Sequence, residues 1–193
     1  MATLPVRSLH DGKRRLAGYL TVTQRTRLIV QLCGAVVRAL RDSGTVDTIS
    51  LVSGDDLALR YARTLGLEPI REDEQDLNGA LQMAMGWAAA RADAHLLVLP
   101  DLPLLRPSDV RGIVAAGMEA RTVVVCPDHA RLGTNILFSR PCGVIPPLFG
   151  VGSFARHLEA ARVAGLTAKI FESPGTRRDL DTPDDFQALG LIR

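Results

Sequence analysis

The aspartates carry the most specific chemistry in this sequence. Asp101 follows the aliphatic run His95-Leu96-Leu97-Val98-Leu99-Pro100 and precedes Leu102-Pro103. Asp179-Leu180-Asp181 lies far down the chain, again after an apolar run and before a helix start. In an extended segment, residues two apart point to the same side, so Asp179 and Asp181 form a pair. Carboxylate oxygens are hard donors that suit Mg²⁺. If both stretches reach one sheet edge, Asp101, Asp179 and Asp181 hold one or two Mg²⁺ ions and leave room for water and substrate phosphates. Taken singly, each aspartate equally fits a turn, a helix cap or a solvated charge.

Two further sets of residues suit anions. Gly12-Lys13-Arg14-Arg15-Leu16 follows the first strand, where α/β folds commonly handle phosphates. The run contains neither GxGxxG nor a Walker A pattern, so a dinucleotide fold and a P-loop are both unsupported. Leu132-Gly133-Thr134-Asn135 and Phe149-Gly150-Val151-Gly152-Ser153-Phe154 are glycine-containing turns that let backbone approach an anion. Ser153 stands at a helix N-terminus, where free N–H groups favour phosphate or carboxylate. His157, one turn further on, reads as a satisfied surface residue. His10, His95 and His129 have no partner pattern, and no Ser-His-Asp or Cys-His arrangement is suggested.

Strands and helices that alternate must position these groups. Strands are expected at Thr3–Arg7, Thr48–Val52, Glu68–Arg71, Leu96–Pro100, Thr122–Cys126, Asn135–Ser139 and Ala168–Phe171. The run at Leu96–Pro100 is apolar throughout, so it reads as a central parallel strand buried on both faces. Pro100 and Pro103 end it and push Asp101 out at its carboxyl end, where open α/β sheets bind ligands. Helices are expected at Thr23–Asp42, from Asp55 to Leu65, from Leu77 to Arg91, Pro107–Ala120 and Ser153–Ala164, with a closing helix to Leu189. The first carries the stripe Leu28, Leu32, Val36 and Leu40. Asp55 caps the second. Thr182-Pro183-Asp184-Asp185 starts the last. The segment Glu72–Asp76 reads as an acidic loop. The alternation predicts a three-layer α/β fold: a mostly parallel central sheet with helices on both faces, in one domain over 1–193.

The 193 residues suffice for one sizeable core, and the 23% of charged residues are ordinary for a globular chain. Net charge is only +2, yet residues 1–45 hold eight basic groups against two acids, an excess that suits a small polyanion. Eight aromatics without a stacking pattern argue against nucleic acid as a partner. No run approaches the roughly 18–20 apolar residues a membrane span needs, and no signal peptide is visible. Cys33, Cys126 and Cys142 show no CxxC or zinc spacing and read as reduced thiols of a cytoplasmic protein.

Together these motifs resemble the guanylyltransferases of coenzyme F-420 biosynthesis, the 2-phospho-L-lactate and phosphoenolpyruvate guanylyltransferases. The resemblance rests on Pro5-Val6-Arg7 with Gly12–Ala17, Leu77-Asn78, Asp101-Leu102-Pro103, Gly133-Thr134-Asn135, Gly150–Phe154 with His157, and Asp179–Pro183. It spans about residues 4 to 190. It implies a Rossmann-like fold of the nucleotide-diphospho-sugar-transferase type. It also implies transfer of GMP from GTP to a three-carbon phosphate acid, with release of pyrophosphate. Carried over, Asp101, Asp179 and Asp181 are the Mg²⁺ carboxylates. Thr134, Gly150 and Ser153 hold the acceptor acid, Lys13 and Arg15 meet the GTP phosphates, and Asn78 lies near the nucleotide. A hand-over to the next F-420 pathway transferase is implied as well. Arg7 departs from the family's usual Lys and is left out of the site. The first strand opens almost at Met1, which leaves its start open. The acid itself is not encoded in any motif. The resemblance favours phosphoenolpyruvate, since the Ala-, Arg- and Leu-rich composition suggests a bacterial member and those tend toward that acid, with 2-phospho-L-lactate or 3-phosphoglycerate, or nucleotide binding without turnover, as the other readings.

Overall fold

A computed structural model of the chain describes residues 1–73 and 76–188. The strands are β1 (Ala2–Pro5), β2 (Ile49–Ser53), β3 (Glu68–Arg71), β4 (His95–Val98), β5 (Thr122–Pro127), β6 (Thr134–Arg140) and β7 (Thr167–Ile170). The helices are α1 (Val22–Asp42), α2 (Asp56–Thr64), α3 (Leu77–Ala89), α4 (Pro107–Ala116), α5 (Ser153–Val163), α6 (Pro174–Arg177) and α7 (Pro183–Ala188). Part of the expected acidic loop and the expected end of the last helix at Leu189 lie outside the described residues.

The strands form one sheet in the order β3-β2-β1-β4-β6-β5-β7. Alternate residues of each strand face opposite layers. Leu96 and Val98 of β4 join Leu4, Leu51, Val124 and Phe138 under α1, α2 and α4. Leu97 joins Val123, Val125 and Leu137 under α3 and α5. This is the expected three-layer arrangement, and β4 is buried on both faces as its sequence requires.

Its pairing differs from the expectation. β4 runs parallel to β1 but antiparallel to β6, with Leu97 opposite Leu137. β5 and β6 are joined by the short segment 128–133, too brief for the crossover a parallel pair needs. Asp128 closes that segment by accepting from the N–H groups of Leu132 (2.9 Å) and Gly133 (2.8 Å). The reversal has a consequence for the site. β6 begins where β4 ends, so Thr134 and Asn135 arrive beside the carboxyl end of β4, and the Leu99 N–H donates to the Asn135 carbonyl at 3.0 Å.

Helix boundaries follow local chemistry. Thr21 and Gln24 form a reciprocal cap on α1, and Asp55 caps α2 as expected. α4 ends four residues early, at Ala116, with Gly117 as its cap; a Cβ at position 117 would collide with the Phe138 ring. α6 was not foreseen; Ser173 caps it by accepting from Gly175 and Thr176. Gly175 packs against Asp109 and the Leu104 carbonyl, which a Cβ would approach to 2.6 Å. Gly175→Ala is therefore expected to destabilise the fold by about 1–3 kcal/mol, read as a lower urea midpoint; an unchanged midpoint would refute this packing.

A third, smaller core matters most for function. Leu16, Leu32 and Leu180 are buried together, with Leu20, Leu28 and Phe186 against them. The amino-terminal half of α1 thus anchors both the basic loop and the late acidic segment. Burying Leu180 contributes about 1.5–3 kcal/mol. It also fixes the alternation that turns its two acidic neighbours away from the core.

Candidate active site

The carboxyl end of β4 and the segment 179–181 meet through the backbone: the Leu180 N–H donates to the Asp101 carbonyl at 3.0 Å. Asp185 fixes the far side by accepting from the N–H groups of Asp181 (2.8 Å) and Thr182 (2.6 Å). Those bonds, against the cost of burial, hold the Asp185 carboxyl below its usual range. The two aspartate sites are thus brought to one edge, as expected.

Lys13 joins them. Its Nζ lies 2.6 Å from Asp101 Oδ2 and 2.6 Å from Asp181 Oδ1, with only 9% of its side chain exposed. The residue adopts a left-handed φ of 53° at the head of a single 3-10 turn, Arg14–Leu16, whose Leu16 is buried. Arg25 steadies the loop by donating to the carbonyls of Gly12 (3.3 Å) and Leu20 (3.0 Å). Burial alone would lower the Lys13 pKa, but the charges and hydrogen bonds of Asp101 and Asp181 outweigh it and raise the value. Asp179 moves up: burial comes first, then repulsion from Asp101. Arg15 is largely exposed, 3.7 Å from Asp181 Oδ2.

Among the described residues, no three His, Cys, Asp or Glu side chains stand close enough to hold a metal, and an ammonium bridges Asp101 and Asp181 instead. The donor set still suits a divalent cation. Asp101 Oδ1 is buried without a hydrogen-bond partner among the described residues, and burial first, then the charge of Asp101, raise the Asp179 pKa. A cavity of about 510 Å³ adjoins this corner, lined by Arg7, Ser8, Asp11, Gly12, Lys13 and Arg14. Arg7, left out of the site on sequence grounds, lines it.

The acceptor candidates sit on β6 and on the loop before α5. Thr134 Oγ1 is buried, 2.9 Å from His157 Nδ1. The His157 Nε2 accepts from the Leu148 N–H at 2.9 Å. His157 is thus fully buried rather than a surface residue. Sequence reasoning could have found this, since Phe154, His157 and Ala161 share one helical stripe. Both amide atoms of Asn78 bond the Phe149 backbone, at 3.1 and 2.8 Å, so the structure engages Asn78 in holding this loop. Arg156 binds the carbonyls of Val151 and Leu148. Gly150 takes a φ of 112°, which only glycine adopts readily. The expected free N–H groups at the start of α5 are partly taken: Ser153 donates to Gly150 and Phe154 to Leu132. The Ser153 hydroxyl is buried with no partner among the described residues.

Glu72 was not foreseen. Its Oε2 is buried with no partner among the described residues, and Glu72 lines a slot together with Pro5, Val6, Arg7, Val52, Asp76, Leu77 and Ala80.

A seven-stranded, mostly parallel sheet with this carboxyl edge defines an α/β fold of the nucleotidyltransferase type. A nucleotidyl transferase from Methanothermobacter thermautotrophicus superposes with a TM-score of 0.67 at 15% identity, covering 97% of this chain and 94% of that one. A Mycobacterium tuberculosis protein solved as a manganese complex, Rv0371C, gives 0.62 at 21% identity, covering 97% and 96%. Neighbours with this fold therefore include one that binds a divalent metal. This chain belongs to the family described as guanylyl transferase CofC like, which matches residues 1–192. It is 39% identical to the phosphoenolpyruvate guanylyltransferase of Rubrobacter xylanophilus over 97% of this chain and 92% of the relative. It is 34% identical to the 2-phospho-L-lactate guanylyltransferase of Methanothermobacter thermautotrophicus, over 98% and 83%. The family expected from the motifs is the family found, and the enzyme class is nucleotidyltransferase. No helix among the described residues is long and apolar enough to cross a membrane.

Proposed function

We propose that this protein joins GMP from GTP to phosphoenolpyruvate and releases pyrophosphate, as a cytoplasmic step of coenzyme F-420 biosynthesis. The observation that carries the site assignment is the Lys13 ammonium between Asp101 and Asp181. It places cationic and anionic groups of the basic loop and the late segment at one point of the sheet edge.

In this reading an oxygen of the acceptor's phosphate attacks the α-phosphorus of GTP. The bond from that phosphorus to the β-phosphate bridging oxygen breaks, and pyrophosphate departs with its electron pair. Both partners are anions, so the protein must neutralise charge and align the two groups. Arg7, Lys13 and Arg15 bind the triphosphate; Thr134, the Gly150 backbone and Ser153 hold the acceptor. Asp101, Asp179 and Asp181 would hold Mg²⁺, which supplies charge neutralisation on the phosphoryl oxygens. No covalent enzyme intermediate is needed. The product is a reactive phosphoanhydride, which suits direct hand-over to the next transferase of the pathway.

Glu72 supports the choice of guanine. The Watson–Crick edge of guanine offers two adjacent N–H donors, at N1 and the 2-amino group, to a carboxylate, whereas that of adenine offers one donor, the 6-amino group, beside the N1 acceptor. Glu72→Gln is expected to lower kcat/KM for GTP by about ten- to hundred-fold and to narrow the preference over ATP. Unchanged nucleotide preference would remove Glu72 from the base site.

The acid is tested by pyrophosphate release with GTP and Mg²⁺, offering phosphoenolpyruvate, 2-phospho-L-lactate and 3-phosphoglycerate in parallel. Release with phosphoenolpyruvate supports the proposal. Preference for 2-phospho-L-lactate, which the archaeal relative's name favours, would correct the acceptor and keep the reaction. Silence with all three in folded protein would overturn both.

A further inference from the structure

The buried His157 has a defined direction of hydrogen bonding. A backbone N–H can only donate, so the Leu148 N–H at 2.9 Å requires a lone pair on His157 Nε2. In the neutral ring the proton is then on Nδ1, 2.9 Å from Thr134 Oγ1, and Thr134 must accept it. The Thr134 hydroxyl hydrogen is left over, with no other partner for Oγ1 among the described residues. Phosphate and carboxylate oxygens only accept, so a threonine that binds them has to donate.

We infer that His157 is a positioning residue: its tautomer turns Thr134 into an obligate donor for the anionic acceptor while its other nitrogen pins the loop that carries Gly150. The inference rests on the acceptor role proposed for Thr134 and Gly150. Several surroundings keep the ring neutral. It is fully buried, and Phe149 packs edge-on against it at 5.2 Å between ring centres. Burial first, and then the charge of Arg156 on its own helix, lower its pKa to about 4. The groups bonding it from β6 and from the loop, Thr134 and Leu148, carry no charge. The pinned loop is held from two other directions, by Asn78 at Phe149 and by Arg156 at Leu148 and Val151. His157 alone links that loop to Thr134 among these contacts.

Two variants separate the two halves of the role. His157→Asn can keep a donor near the Nδ1 position; His157→Gln can keep an acceptor near the Nε2 position. His157→Ala is expected to raise KM for the acceptor acid by about ten- to hundred-fold with little change in KM for GTP. His157→Asn is expected to recover more acceptor affinity than His157→Gln. An equal rise in both KM values, or better rescue by Gln, would overturn the inference. Because these variants can unfold, the wild-type protein supplies a second readout. Nitrogen-15 NMR of the imidazole at neutral pH should show protonated Nδ1 and bare Nε2. The opposite tautomer would refute the inference whatever the protein turns over. Failure of the proposed reaction is a separate outcome, seen as no pyrophosphate release by the wild type with any acid.

Discussion

Asp101→Asn is expected to slow GMP transfer by about 100-fold or more, with stability within about 1 kcal/mol of wild type at pH 7. The side chains are nearly isosteric, and the backbone bond from Leu180 to the Asp101 carbonyl does not involve the side chain. Two electrostatic changes oppose each other. Lys13 loses one of its two anionic partners. Asp179, whose carboxyl is raised by burial and then by Asp101, is relieved of the second cause. A carboxyl raised in the folded state costs stability once pH exceeds its unfolded value, so this relief is felt at neutral pH. Catalysis has no such compensation, because the substituted amide cannot neutralise or hold a cation as the carboxylate does. Pyrophosphate release and urea unfolding, measured on the same preparation, separate the two effects. Near-normal turnover in the folded variant would remove Asp101 from the chemistry.

Lys13→Met is expected to be the second large effect. The substitution keeps much of the volume and removes the one charge that lies between Asp101 and Asp181. Without Mg²⁺ the remaining carboxylates repel, at a cost of about 1–3 kcal/mol given that Asp181 is partly solvated. With GTP, the triphosphate loses a charge-assisted donor, so turnover should fall about 100-fold. A divalent cation held by Asp101 and Asp181 would be opposed by the Lys13 ammonium that already lies against both carboxylates. Millimolar Mg²⁺ should therefore raise the thermal midpoint of Lys13→Met by more than that of wild type. An equal shift in the two proteins would show that the cation binds elsewhere.

The layers were legible because periodicity reports burial. The run from His95 to Val98 is buried on both faces, and Val22 to Asp42 carries a continuous apolar stripe with the capping residue Thr21 before it. Strand direction was not legible from those patterns, since Asn135 to Ser139 reads the same whichever way it runs. The segment 128–133 did carry that information: it is too short for a parallel crossover. At the site, Asp179-Leu180-Asp181 disclosed its own geometry, with the leucine inward and the acids together. The Lys13 bridge did not, because a cation 88 residues before its partner leaves no periodic trace. α6 escaped for a different reason: four residues are too few to show a helical stripe. His157 was misread as exposed although its neighbours on the stripe are apolar, because a polar residue on a buried face becomes sensible only once its two partners are visible.

The central claim is that the corner built by Asp101, Asp179, Asp181 and Lys13 transfers GMP onto a phosphate acid. Phosphorus-31 NMR of wild-type protein with GTP, Mg²⁺ and phosphoenolpyruvate tests it most directly, with Asp101→Asn run alongside. The account predicts a new pair of coupled phosphoanhydride resonances and free pyrophosphate with the wild type, and neither on the same timescale with the variant. Pyrophosphate and the anhydride appearing equally fast with Asp101→Asn, or no anhydride from folded wild-type protein with any of the three acids, would contradict it.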